Sequence, residues 1–526
     1  MTGAEKFTPG KSGGGQGPTE EAPAWADDDL YDAAGFDGDI NNWCAWRAGN
    51  DLGNAERFIA RFGEDLIYVE KSGWYAWDGV RWNREDGPRR VQIAAQRTAK
   101  AIRAEAKVVE NRKVALMEWA RDSGSSGKIS AMQKEAKPHL SVRHDDLDCD
   151  HFLFTCHSHT VRLGPRVQAQ AHDRDDKITR TGGAGFDESA DAPVFHAFLE
   201  KIMPDKRLRR FLQTWFGYCL TGDISEQVMV LLLGNGSNGK STLLNCIDHV
   251  IGDYHMSLPI ESLMRKEGKQ GSGPSPDIAR LPGARMVTTS EPETGAQFSE
   301  SIIKQITGGE KIVARHLQES FFEFIPVFKV TVSMNNKPRI RGQDDGIWRR
   351  LLLVPFDQKV GKDDVTPVYA ALEDEAAGIF RWMLEGVELW FEEDEYGHRK
   401  GLDVPEQIQS AVDEYRADSS PLSEFIADRV VLAGGDAESI VAGQLFATYK
   451  QWAADNGYDA WNMTMFGRRM NDGNYKKVKR GGLKHYLGMR LKDAAAVQAG
   501  EGGDSSTGDP RPEPPPSSCD GVRPDG

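Results

Sequence analysis

Residues 234–241 read Gly-Asn-Gly-Ser-Asn-Gly-Lys-Ser, the spacing G-x4-G-K-S. Phosphate chemistry gives each residue type in that spacing a task. The N–H groups of a glycine-rich turn can crowd around phosphate oxygens, and a following helix adds the partial positive charge of its N-terminus. Lys240 would neutralise the β- and γ-phosphates, and the Ser241 hydroxyl would hold Mg²⁺. ATP with Mg²⁺ is the expected ligand, cradled by Gly234, Asn235, Gly236, Ser237, Asn238, Gly239, Lys240, Ser241 and Thr242. Hydrolysis asks for three further groups: an acid at the end of a neighbouring strand, a polar side chain that orients water, and an arginine from another subunit. The run 285–289 leads into Ser290-Glu291-Pro292-Glu293, so Glu291 can polarise water or share the metal. The run 328–333 ends near Asn335, whose short amide could report on the γ-phosphate. Arg349 and Arg350 stand directly before the apolar run 351–356. A guanidinium there is not core, so it pairs with an acid or reaches a neighbour's nucleotide. Arg350 is the first choice for that role and Arg349 the second.

A parallel sheet is the element that would gather these groups. Residues 228–233 form a continuous apolar run, as a strand buried on both faces requires. The runs 285–289, 328–333 and 351–356 would complete the sheet, with helical periodicity ahead of it from 194. Earlier, a helix opens near Asn54, followed by short strands around 67–69 and 74–77. A helical stretch over 90–138 is broken at 124–127, and 151–163 alternates as strands do. The last globular piece, 420–492, reads helix, helix, basic strand-turn-strand. Six regions result: an acidic disordered tail (1–40), an α+β domain (41–193), a helical collar (194–226), an α/β ATPase domain (227–400), a C-terminal domain (415–492) and a second disordered tail (493–526).

Composition narrows the class. Of 526 residues, 39% are hydrophobic and 28% charged, ordinary for a globular chain. No apolar run nears the roughly 18 residues of a membrane span. Six scattered cysteines suit a reducing, cytoplasmic setting rather than a disulfide scaffold. The net charge of −15 is concentrated at the ends: −7 over residues 1–40 and −5 over 493–526. Residues 468–492 instead hold nine bases against one acid, interleaved with Tyr475 and Tyr486. That pattern suits phosphate contacts, with Lys476, Lys477, Lys479 and Arg480 as candidates.

Taken together, the loop 234–241, Glu291, Ile303-Lys304…Glu310…Arg315, Asn335-Asn-Lys-Pro338 and Trp348-Arg-Arg350 resemble a superfamily 3 helicase. More narrowly, the chain resembles the phage and plasmid primase–helicase family that includes the poxvirus helicase-primase. The likeness extends over about 41–492. It implies an AAA+-like core with an α+β N-terminal region and a C-terminal winged helix, a homohexamer, and 3′→5′ movement on single-stranded DNA at a fork. It further implies a bacterial host, phage or plasmid encoding, and separate primase and polymerase partners. The strand–turn–strand at 311–324 resembles the family's channel hairpin, so Arg315 and His316, with Lys311 assisting, are expected to touch DNA. Lys304 reads as structural or nucleotide-linked.

Departures are specific. Ser290 occupies a slot where relatives often carry an acid, Glu310 replaces an Asp, and His157-Ser-His-Thr160 replaces Asn-Gly-Thr. Only about 40 residues precede the match, so priming by this chain is not expected. Asp146, Asp148 and Asp150 lack the apolar flanks of a two-metal polymerase site, and Cys149, His151, Cys156, His157 and His159 lack a C-x2-C anchor for zinc. Two rivals to a helicase are an origin-binding initiator that uses ATP as an assembly switch and a duplex-DNA packaging motor.

Overall fold

The computed structural model describes residues 38–492 apart from 266–275, 290, 294, 316–319, 343, 434 and 436–437. The tails expected to be disordered thus fall almost wholly outside the described residues. The chain divides into two compact units, one ending at Asp413 and the other starting at Glu414.

The first unit opens with α1 (Ile40–Ala45), α2 (Asp51–Phe62), β1 (Leu66–Val69), β2 (Gly73–Trp77), β3 (Trp82–Asn83), α3 (Gly87–Glu105), α4 (Lys113–Asp122), α5 (Ser126–Ala136) and β4 (Ser141–Val142). Its sheet has the order β3-β2-β1-β4. The helical stretch 90–138 breaks twice, the extra break falling around Val108, Val109 and Asn111, which hold helix weakly. A buried triad ties α2 to α3: Arg57 donates to Glu105 at 2.7 Å and Arg61 to its other oxygen at 3.0 Å. Next, β5 (Leu153–Thr155), β6 (Thr160–Arg162) and β7 (Gln168–Gln170) form an antiparallel sheet.

Helices α6 (Pro193–Ile202) and α7 (Lys206–Leu220) precede β8 (Met229–Leu233), α8 (Lys240–Ile251), β9 (His255–Leu258), α9 (Pro276–Ala279) and β10 (Met286–Thr289). Then follow α10 (Glu300–Thr307), β11 (Ile312–Ala314), β12 (Phe322–Phe324), β13 (Lys329–Met334), α11 (Asp345–Trp348), β14 (Leu351–Pro355) and α12 (Lys362–Phe391). Five strands make a wholly parallel sheet in the order β14-β8-β13-β10-β9. Its interior strand β8, Met-Val-Leu-Leu-Leu, is buried over its first four residues, the reason the sequence shows no polar alternation there. β9 joins one edge although His255-Met-Ser-Leu carries no continuous apolar run. Helices α7 and α12 approach to backbone contact: a Cβ on Gly217 would lie 2.4 Å from Val387 N, and one on Gly386 2.0 Å from the Gln213 carbonyl. Trp215 on α7 donates through Nε1 to Thr331 Oγ1 at 3.0 Å, fixing the helix to the sheet.

In the second unit, the end of α13 (Glu406–Asp418) leads to α14 (Pro421–Arg429), β15 (Val430–Leu432), β16 (Ser439–Val441), α15 (Ala442–Asp455) and α16 (Met463–Asp472). The unit closes with β17 (Lys477–Arg480), β18 (Leu483–Leu487) and β19 (Met489–Leu491). Strands β16-β18-β17 form an antiparallel sheet, and β15 pairs with β19. An aromatic cluster of Phe425, Tyr449, Trp452 and Phe466 fills its core. The sequence pattern missed one helix and the three-residue strands here, which are too short to show a period.

Candidate active site

Three neighbouring strands carry the loop, the amide and the acid out of the same edge of the sheet. The C-terminal end of β8 opens into 234–239, that of β13 into Asn335, and that of β10 into the segment holding Glu291. Open parallel sheets bind ligands outside these ends. The loop turns through positive φ at Gly236 (+51°), Ser237 (+48°) and Gly239 (+80°). Gly239 is required twice over, because a Cβ there would also lie 2.6 Å from Ile202 Cγ2 and 2.9 Å from Phe198 Cζ. Helix α8 then starts at Lys240 with no side-chain cap on Gly239, so its first N–H groups lack a side-chain acceptor.

Lys240 is only 4% exposed. Its Nζ donates to the Gly234 carbonyl at 2.5 Å, to Asn238 Oδ1 at 3.1 Å and to Asn335 Oδ1 at 3.2 Å. Burial lowers its pKa from lysine's ordinary 10.5, and the Glu291 charge opposes that fall. Asn335 is the hub: Gly236 N donates to its Oδ1 at 3.3 Å, and its Nδ2 donates to Glu291 Oε2 at 2.8 Å. Asn235, Gly236, Ser237 and Ser241 are exposed, whereas Asn238 and Thr242 are buried. Uncapped N–H groups, a buried ammonium, an exposed hydroxyl and a carboxylate fit a phosphate-bearing ligand with an oxygen-preferring cation. Ser290 lies outside the described residues.

The two arginines separate. Arg350 is 9% exposed and donates to Thr307 Oγ1 at 3.1 Å and to the Gly346 carbonyl at 2.6 Å, its pKa lowered first by burial. Arg349 is exposed. The preference for Arg350 as the arginine that reaches a neighbour is therefore corrected: its guanidinium is committed within its own chain, and Arg349 is the one presented outward. Both precede β14 and sit at the sheet edge opposite the loop, about 15 Å away for a five-residue strand. Lys304 pairs with Asp344 at 3.1 Å, a contact between α10 and the segment before α11. Glu310 is exposed.

In the hairpin, β11 pairs with β12 through Ile312↔Phe324, Val313↔Glu323 and Ala314↔Phe322. Ile312 and Ala314 are buried, while Lys311, Val313, Phe321, Glu323 and Ile325 are exposed. Lys311 pairs with Glu323 at 3.5 Å, and the Arg315 guanidinium lies 4.6 Å from the Phe321 ring centroid. His316 lies outside the described residues. Sequence reasoning overlooked Val313, Phe321 and Ile325, although the alternation in Lys-Ile-Val-Ala-Arg and Phe-Phe-Glu-Phe-Ile marks them.

In the second unit, Lys476, Lys477, Lys479 and Arg480 are all exposed. Gly481 and Gly482, with φ of +54° and +82°, close the β17–β18 hairpin. The register sets Lys479 opposite Lys484, a like-charge pair that costs stability unless an anion intervenes. Elsewhere, the thiol of Cys156 donates to the His159 carbonyl at 3.1 Å, Asp148 accepts from Thr179 N at 2.8 Å, and Asp146 pairs with Arg143 at 2.7 Å. Among the described residues, no three His, Cys, Asp or Glu side chains gather as a metal site. No helix there is long and apolar enough to cross a membrane.

A family model described as "D5 N terminal like" matches residues 55–204. "Putative helicase L207/L206" of Acanthamoeba polyphaga mimivirus is 30% identical over 279 residues, covering 50% of this chain and 28% of the relative. Residues 55–204 thus resemble a D5 N-terminal region, and the chain is similar over half its length to a viral protein named as a helicase. Other relatives are "Putative helicase 022R" of Frog virus 3, 28% identical over 31% of this chain and 17% of the relative, and "Putative primase C962R" of African swine fever virus, 23% identical over 48% and 28%. The chain spans less than a third of the length of each of these relatives. A solved structure, the apo NrS-1 C-terminal region, overlays at a TM-score of 0.34 with 11% identity, covering 64% of this chain and 94% of that one.

Proposed function

We propose that the chain is an ATP-dependent DNA helicase of replication that works as a homohexamer, translocating on single-stranded DNA at a fork. One observation carries the reading: Lys240, Asn335 and Glu291 form a continuous hydrogen-bonded chain across three adjacent strand ends. The loop N–H groups and Lys240 hold the triphosphate, and Ser241 and Glu291 are the oxygen donors for Mg²⁺, which neutralises phosphate charge when bound. Asn335 fixes the Glu291 carboxylate, so the acid is preoriented to position the attacking water, and it senses the γ-phosphate through Lys240. Arg349 stabilises transition-state charge in the neighbouring subunit, since its own loop is at the far edge of the sheet. The helicase names of the relatives support that activity, and the second unit's helices with the order β16-β18-β17 support a winged helix that grips duplex phosphates.

The test is the steady-state ATPase rate without DNA, with single-stranded DNA and with duplex, with Lys240→Ala as the inactive control. Strong stimulation by single strands is expected. Stimulation by duplex alone would replace the helicase with a packaging-type motor, and indifference to DNA would replace it with an initiator's switch.

A further inference from the structure

The hairpin's outward face carries more than cations. Strand pairing alternates side chains between two faces. One face, with Ile312, Ala314, Phe322 and Phe324, is turned toward the protein and buried or half-buried. The other presents Lys311 and Val313 on β11 and Phe321, Glu323 and Ile325 around β12, and three of these are large apolar residues left in solvent: Val313 is 53%, Phe321 57% and Ile325 55% exposed. One step beyond the Ala314↔Phe322 pair, Arg315 faces Phe321, and its guanidinium packs 4.6 Å from the ring centroid. Arg315 Nε is buried with no hydrogen-bond partner among the described residues, and the Phe321 ring is the guanidinium's neighbour. Lys311 is tied to Glu323 at the other end of the face. An aromatic ring held by an arginine, with apolar neighbours on the same face, matches a nucleotide: π-face to base, guanidinium to phosphate.

We propose that Phe321 is a base-stacking platform, oriented by Arg315, on which an unpaired base of single-stranded DNA rests. The inference deepens the helicase reading and depends on it. Stacking is tolerant of sequence, because every base offers a π-face, which suits a translocating enzyme. It also explains why apolar residues occupy a face whose basic neighbours alone would suffice for phosphates. Single strands rather than duplex are the occupant, since bases inside a duplex are already stacked.

The experiment titrates the full chain, and its Phe321→Ala, Phe321→Trp and Arg315→Ala variants, against a fluorescent oligothymidylate and the same strand made abasic throughout. The wild type is expected to prefer the intact strand by about tenfold or more. Phe321→Ala should erase that preference by weakening the intact strand about tenfold while leaving the abasic strand unchanged, and Phe321→Trp should keep it. Equal wild-type affinity for both strands would overturn the proposal. So would a Phe321→Ala loss that is the same on both strands, or one accompanied by a change of oligomeric state in sedimentation, which would make the face a contact between copies. Failure of the wild type to bind either strand would overturn the helicase reading itself.

Discussion

At the scale of single residues, the division of labour between Arg349 and Arg350 is the sharpest consequence of the structure. Both guanidiniums precede the same buried strand, and residue type alone cannot say which turns inward. Arg350 spends two charge-assisted hydrogen bonds on Thr307 and Gly346. Arg350→Ala should therefore cost about 2 kcal/mol of folding stability and lower Tm. Arg349→Ala should leave Tm unchanged and cut the ATPase kcat by about 10³-fold, as loss of a trans-acting arginine does. Mixing Arg349→Ala with Lys240→Ala subunits should then partly restore ATPase, because intact sites form where each subunit supplies what the other lacks. Absence of any restoration would count against a site shared between subunits.

At the scale of elements, the β17–β18 hairpin shows how register turns composition into function. A run of bases in sequence is often only a solvated face. Here the two-glycine turn fixes a register that places Lys479 against Lys484 and leaves Lys476, Lys477 and Arg480 exposed around them. Repulsion is the standing cost, and a phosphate relieves it. Replacing Lys476, Lys477, Lys479 and Arg480 together with alanine should weaken duplex binding and flatten its dependence on log salt by about three to four in slope. A salt slope equal to that of the wild type would remove the hairpin from the DNA contacts. The β11–β12 hairpin makes the complementary case: its alternation was readable in 311–325, but only the packing behind it revealed which face is apolar and open.

At the scale of the whole molecule, the first unit buries cations at the sheet edge opposite the loop. Lys329 opens β13, donates to the Thr221 carbonyl and lies 4.8 Å from the Tyr218 ring centroid. Burial pulls its pKa from 10.5 down to about 7. Above pH 7 the folded chain has released this proton while the unfolded chain holds it until about 10.5, so stability rises with pH across that window and the penalty is full below it. Tm measured from pH 7 to 9.5 should climb, and Lys329→Met should flatten that climb; an unchanged slope in the variant would assign it to other groups. Glycine spacing and continuous apolar runs already located the glycine-rich loop and four strands of the sheet, because both are local consequences of backbone geometry and two-sided burial. Sequence did not reach the edge strand β9, the first break in the 90–138 helix, the Lys240–Asn335–Glu291 chain or the fate of the two arginines. Those depend on which strand lies beside which and on what each side chain meets across the sheet, and such contacts join residues as far apart as Lys240 and Asn335, which no local pattern encodes.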